Sequence, residues 1–292
     1  MPSWFSSKGK GKKAELAAEN PFTSTRSRIT SFSSFKGSSK NSPAGDMPPP
    51  YSPTATNQQG PAKDDSEMGF LSKFDIVIVI DDSGSMCGSR WRETQDSLKA
   101  IAPICTSYDK DGLEIFFLNH RNPSNQLTGS YQNIRTPSGV EEIFQTVRPT
   151  STTPTGERLQ SILEPYVRRV EQMVDANGRP NPNAEQVKPL DVVVITDGVP
   201  TDDVETVLVL YAKRLDKCNA IPWQLGIQFL QVGNDQGAKE WLASLDDDLC
   251  KHYGVRDMVD TAPWEKKKKL THEKVLKIML GAINKRFDRK AV

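Results

Sequence analysis

Phe74-Asp75-Ile76-Val77-Ile78-Val79-Ile80 is a nearly unbroken run of β-branched residues. β-branched side chains suit extended backbone, and a run without polar alternation suits a strand covered on both faces. Such strands belong to parallel sheets sandwiched between helices. Three similar runs follow at Leu113–Leu118, Leu190–Thr196 and Leu225–Val232. Apolar residues at helical spacing separate them. Trp91, Leu98, Ile101 and Cys105 form one set, and Leu159, Ile162, Leu163, Tyr166 and Val170 another, with Pro165 as a candidate kink. Further helices are expected over Val204–Leu215, over a shorter Lys239–Leu245, and around Val275, Ile278, Met279, Ala282 and Ile283. Strands alternating with helices predict an α/β fold over residues 69–292: a doubly wound, mostly parallel sheet flanked by helices.

Residues 1–68 are expected to form a separate, disordered tail. Ser and Pro together supply 21 of the first 66 residues, where Leu16 and Ile29 are the only branched aliphatics. Such a segment buries too little apolar surface to offset the entropy of ordering its backbone. Its first 40 residues carry eight basic and two acidic side chains, which amounts to a solvated charged tail or a weak attraction to anionic membranes or RNA. Across the whole chain 38 Lys and Arg nearly balance 37 Asp and Glu, leaving a net charge of +1. That balance argues against a protein built to coat nucleic acid. No apolar run approaches the roughly 18 residues that a transmembrane span needs. Met1-Pro2-Ser3-Trp4-Phe5 lacks the apolar stretch of a secretory signal. Cys87, Cys105, Cys218 and Cys250 include no Cys-x-x-Cys pair, so neither a zinc site nor a disulfide framework is expected. These features point to a reduced, cytoplasmic protein, at most peripheral to membranes.

In an open α/β sheet, ligands bind outside the carboxyl ends of the strands. The first run exits into Asp81-Asp82-Ser83-Gly84-Ser85-Met86, and the Leu190 run ends Ile195-Thr196-Asp197-Gly198. Between them lies Thr150-Ser151-Thr152-Thr153-Pro154-Thr155-Gly156. Three segments thus bring small oxygen-bearing side chains to one end of the sheet, and two of them bring carboxylates. The chemistry that fits is a hard divalent cation, because Mg²⁺ takes oxygen ligands and keeps several waters without needing His or Cys. Mn²⁺ accepts the same donors. Asp81, Ser83 and Ser85 alternate, so in an extended turn they can converge, with Gly84 allowing a tight bend. The helix expected from about Ser89 presents its N-terminus nearby, which favours Asp81 or an incoming carboxylate rather than the cation itself. Taken singly, Ser85 reads as a helix cap and Asp81 as a turn cap. The metal reading rests on the set.

That set, Asp81-x-Ser83-x-Ser85, Thr153 before Pro154-Thr155-Gly156, and Asp197 in Ile-Thr-Asp-Gly, resembles the metal-ion-dependent adhesion site of von Willebrand factor type A domains. All five positions occur in order, within a resemblance that covers roughly residues 70–290. The stretches IDDSGSM, FFLNH and DMVDTAPW are similar to an intracellular fungal version of the domain. The resemblance implies a Rossmann-like fold in which Ser83, Ser85 and Thr153 contact Mg²⁺ (or Mn²⁺) through their hydroxyls. It implies that Asp81 and Asp197 act directly or through water. One coordination position is left for an acidic side chain, Asp or Glu, of a partner protein. Thr153 matches the family position that shifts between low- and high-affinity states.

Neighbouring residues have plainer expected roles. Asp82 is expected behind the site or in solvent, Asp202 and Asp203 at the start of the next helix, and Cys87 as an ordinary small residue. His120 is expected as a polar rim residue and Lys266–Lys269 as a solvated charge run. Enzyme readings fail on detail. An aspartyl-phosphatase loop needs a carboxylate where Ser83 stands, a hydrolase elbow needs Gly-x-Ser-x-Gly where Gly84–Gly88 has Met86 at its centre, and neither a dinucleotide fingerprint nor a P-loop is present. A metal-dependent hydrolase, with the ion activating water, is the remaining alternative. A scaffold subunit with a purely structural ion is another. In the tail, Pro48-Pro49-Pro50-Tyr51 is a PPxY sequence that resembles the ligand of WW domains, including those of ubiquitin ligases. Asn20-Pro21-Phe22 resembles the tripeptide bound by EH domains of endocytic adaptors. The expectation is a non-enzymatic, metal-dependent protein-binding domain, with an adaptor role through the tail as the alternative.

Overall fold

A computed structural model of the chain describes residues 72–108, 111–175, 178–263, 278, 279 and 281. The expected tail, with Asn20-Pro21-Phe22 and Pro48–Tyr51, lies outside the described residues, as does the Lys266–Lys269 run.

Six strands form one sheet in the order β3-β2-β1-β4-β5-β6. They are β1 (Asp75–Ile80), β2 (Leu113–Phe117), β3 (Tyr131–Ile134), β4 (Leu190–Thr196), β5 (Leu225–Gln231) and β6 (Val259–Pro263). All neighbours run parallel except β2 and β3, which are antiparallel. β1 and β4 are the central pair, in register from Asp75↔Leu190 to Ile80↔Ile195. Succession runs outward from β1 on one side and from β4 on the other, so the chain changes direction between them. The loops leaving these two strands therefore diverge and open a crevice, the usual ligand position in this architecture.

The sheet is central because its strands are apolar on both faces. Ile76, Ile78 and Ile80 face one layer and Val77 and Val79 the other. The first layer is α1 (Ser89–Tyr108) and α2 (Pro137–Thr146), which bury Trp91, Leu98, Ile101, Val140, Ile143 and Phe144. Ile278 and Met279 join that cluster. The second layer is α3 (Thr155–Glu171), α4 (Val204–Lys217) and α5 (Gln236–Tyr253). It buries Leu159, Leu163, Val167, Leu208, Leu215, Leu242 and Leu249. Each such side chain contributes about 1.5–3 kcal/mol of transfer free energy, so the two clusters fix the sheet on which the loops are mounted.

The expected strands, and the expected helices up to Leu245, are present, with additions. β3, α2 and β6 carried too weak a signal to be expected. β3 is a four-residue, half-exposed edge strand, and β6 ends on Pro263 at the opposite edge. α5 is longer than the Lys239–Leu245 reading, its C-terminal half running through Asp246-Asp247-Asp248 to Tyr253. α3 runs unbroken through Pro165. Of the expected last helix, only Ile278, Met279 and Gly281 are among the described residues.

Candidate metal centre

Backbone hydrogen bonds stitch three loops together at the β1/β4 crevice. Thr150 N donates to Asp82 O at 2.7 Å and Gly84 N donates to Ser151 O at 3.1 Å, joining the β1 exit to the segment before α3. Thr201 N donates to Thr153 O at 3.0 Å, joining that segment to the β4 exit. The expected tight bend is present at Gly84, but it does not require glycine. Gly84 opens a single 3₁₀ turn, Gly84–Met86, outside the positive-φ region, and a Cβ there would meet Ser151 O at an ordinary 3.7 Å.

Asp81 lies at the bottom of the crevice, fully buried. Its Oδ1 accepts from Ser83 N at 2.9 Å and its Oδ2 from Thr196 Oγ1 at 2.7 Å. Burial raises the carboxyl above its usual value. The Ser83 and Thr196 hydrogen bonds pull against that rise, and the negative charge of Asp197 adds to it. Above Asp81 the oxygens form a chain. Ser83 Oγ and Ser85 Oγ are 3.0 Å apart, and Ser85 Oγ donates to Asp197 Oδ1 at 2.8 Å. Ser83 and Asp197 are buried while Ser85 is exposed, so the cluster opens to solvent at Ser85. Asp197 Oδ2 accepts from Arg90 Nη1.

Four of the five expected site residues, Asp81, Ser83, Ser85 and Asp197, thus share one hydrogen-bonded cluster. Thr153 stands in the adjoining loop, nearly buried at 7% exposure, and only its backbone carbonyl takes part in the stitching. The donors are hydroxyls and carboxylates. Among the described residues no group of three or more His, Cys, Asp or Glu is placed to hold an ion, so a site here depends on the Ser and Thr oxygens. Two carboxylates that repel each other, with Ser hydroxyls between, fit a hard divalent cation.

Of the residues that fix these loops, sequence reasoning passed over Asn119 and Arg158. Asp82 stands behind the site, the first of the two places expected for it. It is buried, and its carboxylate accepts from Asn119 N at 2.8 Å, Asn119 Nδ2 at 3.1 Å and His120 N at 2.8 Å. Asn119 Nδ2 also donates to Thr152 O at 2.9 Å, so the β2 exit is clamped beside Thr153. Arg158 of α3 closes the same corner from a buried position. Its Nε donates to Phe117 O at 2.5 Å and its Nη2 to His120 O at 3.1 Å.

Asp203 caps α4 as expected, accepting from Thr206 N at 3.0 Å. Asp202 instead caps α3. Its two carboxylate oxygens accept from Gly156 N at 3.0 Å and Glu157 N at 2.7 Å, a duty that Pro154 cannot perform. Glycine suits that approach, because a Cβ at Gly156 would lie 3.0 Å from Asp203 O and 3.1 Å from Asp202 Oδ2, and both would have to give way slightly. His120 is a rim residue, its Nε2 2.9 Å from Tyr131 Oη. Cys87 is exposed, with Sγ 3.7 Å from Pro149 O.

The sequence model of the von Willebrand factor type A domain matches residues 75–240. Among solved structures, the crystal structure of the SpRpn10 VWA domain is similar at 14% identity, covering 69% of this chain and 93% of that chain with a TM-score of 0.40. No curated protein matches the chain.

Proposed function

The chain belongs to the von Willebrand factor type A family, and from that premise we propose that it is a non-enzymatic, metal-dependent protein-binding module. Asp81, Ser83, Ser85, Thr153 and Asp197 would hold Mg²⁺ or Mn²⁺, and the partner would contribute an exposed Asp or Glu. The observation that carries this reading is the contact chain Ser83 Oγ–Ser85 Oγ–Asp197 Oδ1, at 3.0 and 2.8 Å, above buried Asp81 at the strand-order reversal. When bound, the ion supplies an electrophilic position that takes a carboxylate oxygen.

The chain's own residues do the rest. Asp81 is held by Ser83 N and Thr196 Oγ1 with both oxygens oriented. Ser85 stands at the solvent opening. Asp82, Asn119 and Asp202 keep the three loops in register. A hydrolase needs a base beside the substrate water. Among the described residues no His belongs to the cluster, and His120 Nε2 is engaged with Tyr131 Oη. Among the described residues no helix is long and apolar enough to cross a membrane, and none of the four cysteines forms a disulfide, which suits a reducing cytoplasm.

Calorimetric titration of Mg²⁺ into the full chain tests the reading. Wild type binds one ion, and Asp81→Ala binds none while its circular dichroism spectrum stays the same. Equal binding by the two proteins, or none by wild type, overturns it. A second reading rests on Pro48-Pro49-Pro50-Tyr51: the tail recruits a WW-domain protein, such as a ubiquitin ligase, while the domain holds a client.

A further inference from the structure

Arg90 is the second residue of α1, directly after the loop that carries Ser83 and Ser85. Its side chain turns back over that loop. Nη1 donates to Asp197 Oδ2 and, at 3.2 Å, to Ser85 O. The Asp197 side chain is wholly buried, whereas that of Arg90 is 33% exposed. Both oxygens of Asp197 are therefore engaged within the chain, one by the Ser85 hydroxyl and one by a guanidinium.

The path of the arginine is built into a second element. Gly233, in the loop after β5, has φ +80°, and a Cβ there would lie 3.1 Å from Arg90 Nε and 3.7 Å from its Cδ. The same loop is fastened to the end of β4 by Val232 N donating to Thr196 O at 2.8 Å. A glycine thus leaves the groove through which Arg90 reaches Asp197.

A guanidinium stays charged at any physiological pH. It gives Asp197 the positive partner that a divalent ion would otherwise be. We propose that Arg90 is a tethered competitor of the metal: it neutralises Asp197 while the ion is away, must release Oδ2 for the ion to bind, and so sets the metal affinity of the site. This rests on the metal-site reading above. Once released, the guanidinium remains at the solvent opening beside Ser85, placed for the partner's carboxylate.

The test is Mn²⁺ binding to the full chain, followed by electron paramagnetic resonance of the free ion, for wild type, Arg90→Gln and Arg90→Lys. Arg90→Gln should bind Mn²⁺ more tightly, on the order of fivefold, the scale of a part-exposed ion pair. Arg90→Lys keeps the charge but loses the planar fork, and should fall between. Equal affinities in all three proteins would overturn it and leave the metal site standing. Weaker binding by Arg90→Gln would overturn it too, making Arg90 a residue that positions Asp197. No binding by any of the three would overturn both this inference and the metal site.

Discussion

Asp82→Asn keeps the shape of a buried side chain and removes half of its acceptors. In wild type one carboxylate oxygen takes Asn119 N and Nδ2 at 2.8 and 3.1 Å, and the other takes His120 N at 2.8 Å. An amide can serve only one of these groups. If its oxygen stays with Asn119, its NH₂ faces the His120 N–H, donor against donor. One hydrogen bond to a charged acceptor is worth about 1.5–3 kcal/mol, and the bonds that remain lose their charge assistance, so the expected loss is about 2–4 kcal/mol. Urea unfolding should be run with EDTA present, so that metal binding does not contribute to the measured stability. With a slope near the upper end of the range for small proteins, about 2–3 kcal/mol per molar urea, the midpoint should fall by about 1 M at unchanged slope. A midpoint that does not move would refute the argument that this carboxylate clamps the β2 exit to the site loops.

Asp191 offers the opposite case. It sits in the central strand β4, fully buried, opposite Ile76 and Gly226, and neither carboxylate oxygen has a hydrogen-bond partner among the described residues. Burial raises its carboxyl well above the usual value of 3.8. The folded state therefore holds the proton more tightly than the unfolded chain, and stability present at acid pH is lost as pH rises through the raised value. Asp191→Val should stabilise the protein at neutral pH by about 1–3 kcal/mol, at about 2–4 °C in melting temperature per kcal/mol for a domain of this size. Its advantage should shrink as pH is lowered, and a lower melting temperature at neutral pH would disprove the account. In the tail, Tyr51→Ala should abolish binding to a WW domain in fluorescence polarisation while leaving Mg²⁺ titration unchanged; an unaltered WW affinity would remove that motif from consideration.

What the sequence made legible follows from how far each signal travels along the chain. β1 and β4 announce themselves because a strand buried on both faces must be apolar throughout, as Ile76–Ile80 and Val192–Ile195 are. That Asp81, Ser83, Ser85 and Asp197 would meet was legible because the exits of β1 and β4 both point at the crevice, so their order in sequence becomes a place in space. β3 was not legible, since a four-residue edge strand needs little apolar surface. Nor was the role of Asp202, whose bond to Gly156 N spans 46 residues, or that of Asp82, whose partner Asn119 lies 37 residues away. A carboxylate is visible in a sequence, but the backbone N–H groups it satisfies are not. Arg90 was hidden differently. A charged residue in the first turn of a helix ordinarily points to solvent, and only the fold places Asp197 and the bare Gly233 beside it.

The most direct test of the central claim is anomalous diffraction from crystals of the protein soaked in Mn²⁺. The account predicts one strong peak in the β1/β4 crevice, bonded to the hydroxyls of Ser83 and Ser85 and absent from Asp81→Ala crystals. A peak elsewhere, or an empty crevice at saturating Mn²⁺ with Arg90 replaced by Gln, would contradict it.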